Sequence, residues 1–435
     1  MLPPLRVGVA GLGTVGLSVL RLLDRRSAAL AALTGRPVAV VAVSARDRAK
    51  DRGFDLQRYI WFDDPAELAA SPEIDLFVEL IGGAEGPARA AVEAALGAGK
   101  SVVTANKALL ANYGMTLAKR AEDKGVALAF EAAVAGGIPI VKTLREALAG
   151  NAVDRVYGIL NGTCNYILTR METEALSFAQ CLAEAQRLGY AEADPSFDIG
   201  GQDTAYKLAI LTSLAFGTMI DPEAIAIEGI ESISLADIDA AAELGYRIKL
   251  LGVANRTPAG IEQRVHPTMV PRSSAIAQVM GVTNAVSIDA DAVHELTLIG
   301  PGAGGDATAS AVVADIADIA KGQRLPPFGL PVAALAPLQR APIQMHEGGY
   351  YIRLSVYDRP GAAAAIATRM AGYNISLESI VQRRRPGDEA KHAAAVPVIL
   401  ITHATNEKSI HQALEEVVAD GFIAEKPQVI RIERE

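Results

Sequence analysis

Gly8-Val9-Ala10-Gly11-Leu12-Gly13-Thr14-Val15-Gly16, near the start of the chain, carries the spacing G-x-G-x-x-G. Many glycine-rich turns imitate this spacing, so its surroundings decide its meaning. The apolar run Arg6 to Ala10 precedes it, and a helical pattern from Thr14 to Leu23 follows. A strand, a glycine turn and a helix in that order present the unpaired amides of a helix N-terminus to a pyrophosphate. Gly11 then permits the tight turn, Gly13 lets the backbone approach the phosphates, and Gly16 lets helix lie close on strand. Thr14 and Val15 stand at the helix start.

Further apolar runs follow at Val38 to Val43, Ile74 to Leu80, Ser101 to Thr104 and Val126 to Phe130, with alanine- and leucine-rich helical stretches between several of them. Continuous apolar strands alternating with helices predict a parallel sheet covered on both faces, a Rossmann dinucleotide-binding domain. The second run ends in Ser44-Ala45-Arg46-Asp47-Arg48. An NAD enzyme usually places an acid here for the ribose hydroxyls, whereas serine followed by Arg46 suits a 2′-phosphate. NADP is therefore favoured, with NAD possible.

The 435 residues suggest two or three domains, and half of them are hydrophobic, as in an ordinary globular protein. A net charge of -9 argues against nucleic acid or an anionic membrane as the main partner. Neither a signal peptide nor an apolar run of membrane-spanning length is evident. Cys164 and Cys181 are the only cysteines, too few for a disulfide framework, and a reducing cytoplasm fits best. The six histidines show no ligand spacing, so a transition-metal site is not expected.

Beyond residue 130 the pattern becomes mixed. Strands are predicted at Val153 to Leu160, Ile261 to Val270, Ala285 to Ala290 and Glu295 to Ile299, with helices near 176–188, 202–216 and 235–244. Gly300 to Gly305 leads into an amphipathic helix, Asp306 to Lys321, that could return to the first domain. Prolines at 326, 327, 331, 337 and 342 mark a linker. The order strand, helix, strand, strand, helix, strand from Tyr350 to Ile432 predicts a ferredoxin-like unit.

The segment from Gly189 to Lys207 holds acids at Glu192, Asp194, Asp198 and Asp203, followed by Lys207. If a helix begins at Gly201, Asp203 and Lys207 share one face among Ala205, Leu208, Ala209 and Leu211, and burial would turn an ordinary ion pair into a functional one. Together with the glycine turn, this segment, Thr104-Ala105-Asn106-Lys107, Glu131 to Pro139 and Asn161 to Leu168 resemble homoserine dehydrogenases over residues 5 to about 322.

That resemblance implies NAD(P)H-dependent, reversible reduction of L-aspartate 4-semialdehyde to L-homoserine. It implies Lys207 as proton donor and acceptor, Asp203 orienting it, Lys107 as second active-site lysine, and Glu192 and Asp198 binding the substrate ammonium. It further implies cofactor contacts at Thr104, Lys107 and Gly302, and a structural monovalent cation, sodium, held by Glu131 and the carbonyls of Val134, Gly136 and Ile138. With the nucleotide-binding strand beginning by residue 6, no kinase portion is expected. Cys164 raises a rival chemistry, a thioester-forming nucleophile, but no histidine stands near it in sequence.

The C-terminal unit resembles an ACT domain, with Asp358-Arg359-Pro360-Gly361 and Asn374-Ile375-Ser376 in the expected places. Ala362-Ala363 replaces the usual bulky pair. The resemblance implies an amino-acid effector such as L-threonine and a homodimer or homotetramer, with dimerisation alone as the other role of this unit. The expected boundaries are 1–133 plus 306–325 for the Rossmann domain, 134–305 for the α/β substrate and dimerisation domain, 326–348 for the linker and 349–435 for the ACT domain. A non-enzymatic sensor of amino acids would need no Lys207.

Overall fold

The first unit of the computed structural model alternates strand and helix: β1 (Leu5–Ala10), α1 (Thr14–Arg25), α2 (Ser27–Thr34), β2 (Val38–Ser44), β3 (Ile60–Phe62), α3 (Pro65–Ala70), β4 (Leu76–Glu79), α4 (Pro87–Gly97), β5 (Ser101–Thr104), α5 (Lys107–Lys124) and β6 (Leu128–Ala129). Residues 2–342, 347–382 and 395–433 are described. The six strands run parallel in the order β3-β2-β1-β4-β5-β6. Leu76, Phe77 and Val78 in β4 are fully buried, as a strand covered on both faces requires. Strand order reverses between β1 and β4, which opens a crevice at their carboxyl ends. The strand β3 has no counterpart among the predicted strands, because three half-exposed residues at a sheet edge give too short a pattern.

The second unit comprises α6 (Ile140–Lys142), β7 (Val153–Ile159), α7 (Gly162–Glu174), α8 (Phe178–Arg187), α9 (Ser196–Ile199), α10 (Gln202–Phe216), β8 (Ala226–Ile227), α11 (Leu235–Glu243), β9 (Tyr246–Thr257), β10 (Gly260–Pro271), β11 (Thr283–Ala290) and β12 (His294–Pro301). Then α12 (Gly305–Ala320) returns to lie on α1; a Cβ at Gly305 would sit 2.7 Å from Ser18 Oγ. The strand β9 escapes the sequence pattern because Arg247 and Lys249 interrupt it. Lys249 is nevertheless buried, its ammonium donating to Asn165 Oδ1 at 2.9 Å and the Val279 carbonyl at 2.6 Å. Such pairing makes a buried lysine tolerable in a strand.

The third unit is β13 (Glu347–Tyr357), α13 (Ala362–Gly372), β14 (Leu377–Gln382), β15 (Ala395–Thr402), β16 (Thr405–Asn406), α14 (Glu407–Ala419) and β17 (Gln428–Ile432). It does not stand apart. One sheet runs β12-β11-β7-β9-β10-β17-β13-β15-β14, because β17 pairs in parallel with β10 at Thr268↔Arg431 and Met269↔Ile432. The proline-rich stretch between the units is bound as a strap, with bridges Thr218↔Ala336 and Ile261↔Arg340 and with Phe328 and Leu335 buried. Among the described residues no helix is long and apolar enough to cross a membrane.

Beside this shared strand, Asp237 in the first turn of α11 is fully buried and accepts two hydrogen bonds from the Arg353 guanidinium, at 2.7 and 3.1 Å, and one from the Tyr351 hydroxyl at 3.0 Å. Removing one partner of a buried pair strands the other charge, at a cost of about 3–5 kcal/mol. Asp237→Ala is therefore expected to lower unfolding free energy by that order in urea titrations and to speed amide exchange in β17. Exchange in β17 no faster than in the parent protein would contradict this docking role.

Candidate active site

The strand β7 delivers the chain to Leu160 and Asn161, and Asn161 caps α7 by accepting the Cys164 amide at 2.8 Å. Its Nδ2 faces the other way, donating to Asp198 Oδ1 and to Asp203 Oδ2, each at 2.8 Å. Gly201 starts α10 in the left-handed region (φ +91), where a Cβ would press on Ile227 and Val265 at 3.0 Å. Asp203 and Lys207 then stand one turn apart on α10. Lys207 Nζ donates to Asp203 Oδ2 and to the Leu160 carbonyl, both at 2.7 Å. Lys107, the first residue of α5, places its Nζ 3.0 Å from Asp203 Oδ1. One buried carboxylate, 5% exposed, thus bridges two lysines from two helices, α5 of the first unit and α10 of the second.

Burial pushes the Asp203 carboxyl up, but the ammonium groups of Lys207 and Lys107 outweigh that push and hold it well below the usual carboxylate range. Burial pulls Lys207 below an ordinary lysine; Asp203 opposes the fall and Lys107 adds to it. Asp198 moves up, through burial and then through the charge of Asp203, against the Asn161 hydrogen bond.

The position of Lys107 rests on a network that sequence reading missed. Glu79, fully buried at the end of β4, accepts the Thr104 hydroxyl at 2.5 Å and the amides of Ile81 and Gly82 at 2.7 and 2.9 Å. Thr104 Oγ1 accepts the Asn106 amide at 3.0 Å, and Asn106 caps α5 through the Leu109 amide at 3.0 Å. An acid inside the apolar run Ile74 to Leu80 was the available signal.

Across the crevice the three glycines separate by role. A Cβ at Gly11 (φ +98) would lie 2.3 Å from the Leu80 carbonyl oxygen, and one at Gly16 would lie 2.0 Å from that of Gly11. At Gly13 it would meet nothing within 4 Å, and Gly13 and Thr14 are exposed, with Val15 half-buried behind them. Arg46 is exposed just beyond buried Ser44. The guanidiniums of Arg48 and Arg52 lie 5.7 and 5.9 Å from the centre of the Trp61 ring, and Arg52 also donates to the Asp47 carbonyl at 2.7 Å. Arg52 and Trp61 formed no part of the sequence reading; the chain's single tryptophan behind a basic loop was the clue.

Gly302 stands where a Cβ at Gly136 would come within 2.4 Å of its carbonyl oxygen, and the Gly137 amide donates to the Pro301 carbonyl at 3.0 Å. In the same loop Glu131 is buried and accepts the amides of Val141 and Lys142, both at 2.9 Å, while Ala135 and Gly136 are both left-handed. Val134 and Ile138 are buried beside them, the Ile138 carbonyl accepting the Ile140 amide at 2.8 Å. Glu192 is not gathered into the lysine cluster: it is exposed, and its side chain makes no hydrogen bond or ion pair among the described residues. Cys164 is fully buried, its thiol donating to the Asp198 carbonyl at 3.2 Å, and burial pushes it well above an ordinary thiol. This removes the thiolate nucleophile considered from the sequence.

A dinucleotide turn left open to solvent, with two lysines held on one buried carboxylate in the same molecule, suits a nicotinamide-dependent oxidoreductase. Family models agree with that class and narrow it: "Homoserine dehydrogenase, NAD binding domain" matches residues 11–131, "Homoserine dehydrogenase" residues 139–317 and "ACT domain" residues 350–421. The homoserine dehydrogenase of Pseudomonas aeruginosa is 42% identical, with 99% of each chain covered. A crystal structure of a homoserine dehydrogenase from Thiobacillus denitrificans is 43% identical with a TM-score of 0.92, covering 99% of this chain and 98% of that one. A hyperthermophilic archaeal homoserine dehydrogenase in complex with NADPH is 28% identical with a TM-score of 0.62, covering 72% and 97%. The chain belongs to the homoserine dehydrogenase family. Its reaction is the reversible, nicotinamide-dependent reduction of L-aspartate 4-semialdehyde to L-homoserine in amino-acid biosynthesis.

The glycine geometry yields a paired expectation. Gly13→Ala has room to fold, so its melting temperature stays at the parent value while cofactor affinity falls about tenfold, the loss of roughly one hydrogen bond's worth of contact. Gly16→Ala must displace backbone and melts lower. Calorimetry with fluorescence titration of NADPH measures both, and an unaltered cofactor affinity in Gly13→Ala would count against the assignment of that glycine.

Proposed function

We propose that Lys207 exchanges the proton of this reaction, and the bridging of Asp203 to both lysines is the observation that carries the reading. Hydride addition to the aldehyde builds an alkoxide, and a buried ammonium beside it both stabilises that charge and protonates it. In the reverse direction the neutral amine accepts the hydroxyl proton of homoserine. Asp203 orients Lys207 and keeps its proton affinity from falling as far as burial alone would take it. Lys107 lies at the cofactor side of the same carboxylate and steadies the substrate. Asp198 receives the substrate ammonium, whose charge favours its ionised form, and Glu192 supplies a second carboxylate from its exposed loop. The nicotinamide supplies or receives the hydride when bound; Gly11, Gly13, Thr14, Val15, Gly16, Arg46, Thr104, Lys107 and Gly302 would hold the dinucleotide as a whole, with the glycine turn at its pyrophosphate.

The preferred cofactor is NADP, supported by Ser44 and Arg46 and by the archaeal relative that holds NADPH. The units act as the Rossmann domain (1–133 with 306–325), the substrate domain (134–305), a linker (326–348) and the ACT domain (349–435). The chain works in the cytoplasm as a homodimer or homotetramer, with exposed edge-strand residues such as Ile299 in β12 and Ile380 in β14 available for pairing. An amino-acid effector such as L-threonine acts at the ACT domain.

Lys207→Met is expected to lower kcat about 10²–10⁴-fold in either direction while NADPH still binds. A variant that turned over homoserine near the parent rate would remove Lys207 from the chemistry, and one that also lost NADPH binding would show damage beyond the proton step.

The cation loop fits a hard monovalent ion in its donor chemistry, a carboxylate with backbone carbonyls. Glu131, with Val134, Gly136 and Ile138, would hold sodium in a structural role. Burial, then the neighbouring Asp315, raises the Glu131 carboxyl from 4.5 to about 7. A carboxyl raised by folding contributes stability that is full below its unfolded value and is lost as pH rises through the folded one. A bound cation favours the ionised form and offsets that loss. Sodium chloride should therefore raise the melting temperature, relative to choline chloride, at about pH 8 and not at about pH 4.5, and Glu131→Gln should abolish the difference. Equal melting in both salts at the higher pH would argue against the site.

A further inference from the structure

Asn284, the second residue of β11, is 1% exposed, and its Oδ1 has no hydrogen-bond partner among the described residues. A buried carbonyl oxygen left unpaired is unfavourable, so its partner is to be sought outside the fold. The position is firmly built. The Asn284 backbone faces Gly300 across the β11–β12 ladder, and the carbonyl before it, of Thr283, accepts the Asn165 side chain at 3.1 Å, which Lys249 holds in turn.

Glycines stand on two sides of the amide. A Cβ at Gly302 would lie 2.0 Å from Asn284 Cγ, although the backbone at 302 is not left-handed, so glycine there serves to leave this amide its room. A Cβ at Gly162 would lie 3.6 Å from Oδ1. The two glycines belong to different halves of the site. Asn161, just before Gly162, donates to Asp203. The segment after Gly302 runs to Gly305, where a Cβ would lie 3.3 Å from the Thr14 carbonyl oxygen at the start of α1. Asn284 thus touches one segment that leads to the glycine turn and another that carries a partner of the catalytic carboxylate.

A nicotinamide ring that serves Lys207 while its pyrophosphate rests on the glycine turn must pass between those two segments. Its one polar substituent is a carboxamide, which offers N–H and C=O together and so complements the amide of an asparagine. We propose that Asn284 is a cofactor-binding residue whose Oδ1 accepts an N–H of the nicotinamide carboxamide, holding the ring against rotation about its bond to ribose. This rests on the placement of the dinucleotide proposed above, and it assigns the cofactor a contact within the substrate sheet.

The test is isothermal titration calorimetry of the full-length protein with three ligands. These are NADPH, its 3-acetylpyridine counterpart, in which a methyl ketone replaces the carboxamide and leaves no N–H on that substituent, and 2′-phospho-ADP-ribose, which lacks the ring. The parent protein is expected to bind NADPH about tenfold more tightly than the methyl ketone, the worth of one hydrogen bond. Asn284→Ala and the similarly shaped Asn284→Leu should each lose that preference by weakening NADPH alone, and 2′-phospho-ADP-ribose should bind parent and variants equally. A parent protein without the preference, or variants that keep it, overturns the assignment. An equal loss of all three ligands in both variants also overturns it, by making Asn284 a support of the fold. Failure of the parent protein to bind NADPH at all overturns this contact together with the placement of the dinucleotide.

Discussion

A carboxylate removed from water is unfavourable unless cations accompany it, and Asp203 has two, each delivered by a different part of the chain. Lys207 arrives on the same helix, so that pair is local. Lys107 comes from the first unit, at the start of α5, so its contact with Asp203 joins the two units. The same ion pair that makes the aspartate tolerable therefore fixes the spacing between the dinucleotide sheet and the substrate sheet. The networks around it exist to hold its ends: Glu79, Thr104 and Asn106 set the start of α5, while Asn161 and Gly201 set the start of α10.

Much of this was legible in the residues. The glycine turn between strand and helix specified the parallel sheet, and the i,i+4 spacing of Asp203 and Lys207 put them on one helix face. Patterns of local origin read well because periodicity and turn chemistry act over a few residues. What escaped was set by distant partners. The strand β9 hides Lys249 because Asn165 and the Val279 carbonyl satisfy it, and neither is near it in sequence. The pairing of β17 with β10 rests on two residue pairs between segments far apart in the chain. Glu79 lies inside an apolar run, and its three hydrogen bonds mark it as part of the site. Glu192 stands exposed because nothing in the protein itself needs its charge nearby.

Electrostatics and sheet architecture act on different scales here. The ACT unit is attached by a short run of strand pairing, by the buried Asp237 with Arg353 and Tyr351, and by the ion pairs Arg264–Glu407 and Arg155–Glu433. Hydrogen bonds between strands fix direction, while the ion pairs fix depth. Together they make the ACT unit a continuation of the substrate sheet.

The helix α12 lies on α1, yet a whole domain of sequence separates them. During synthesis the ribosome releases β1 to β6 long before α12. Until that helix emerges, the apolar face that Val312, Val313 and Ile316 will cover is open to water. The nascent dinucleotide sheet is therefore an unfinished surface for much of translation, a substrate for chaperones and a nucleus for misassembly between neighbouring chains on a polysome.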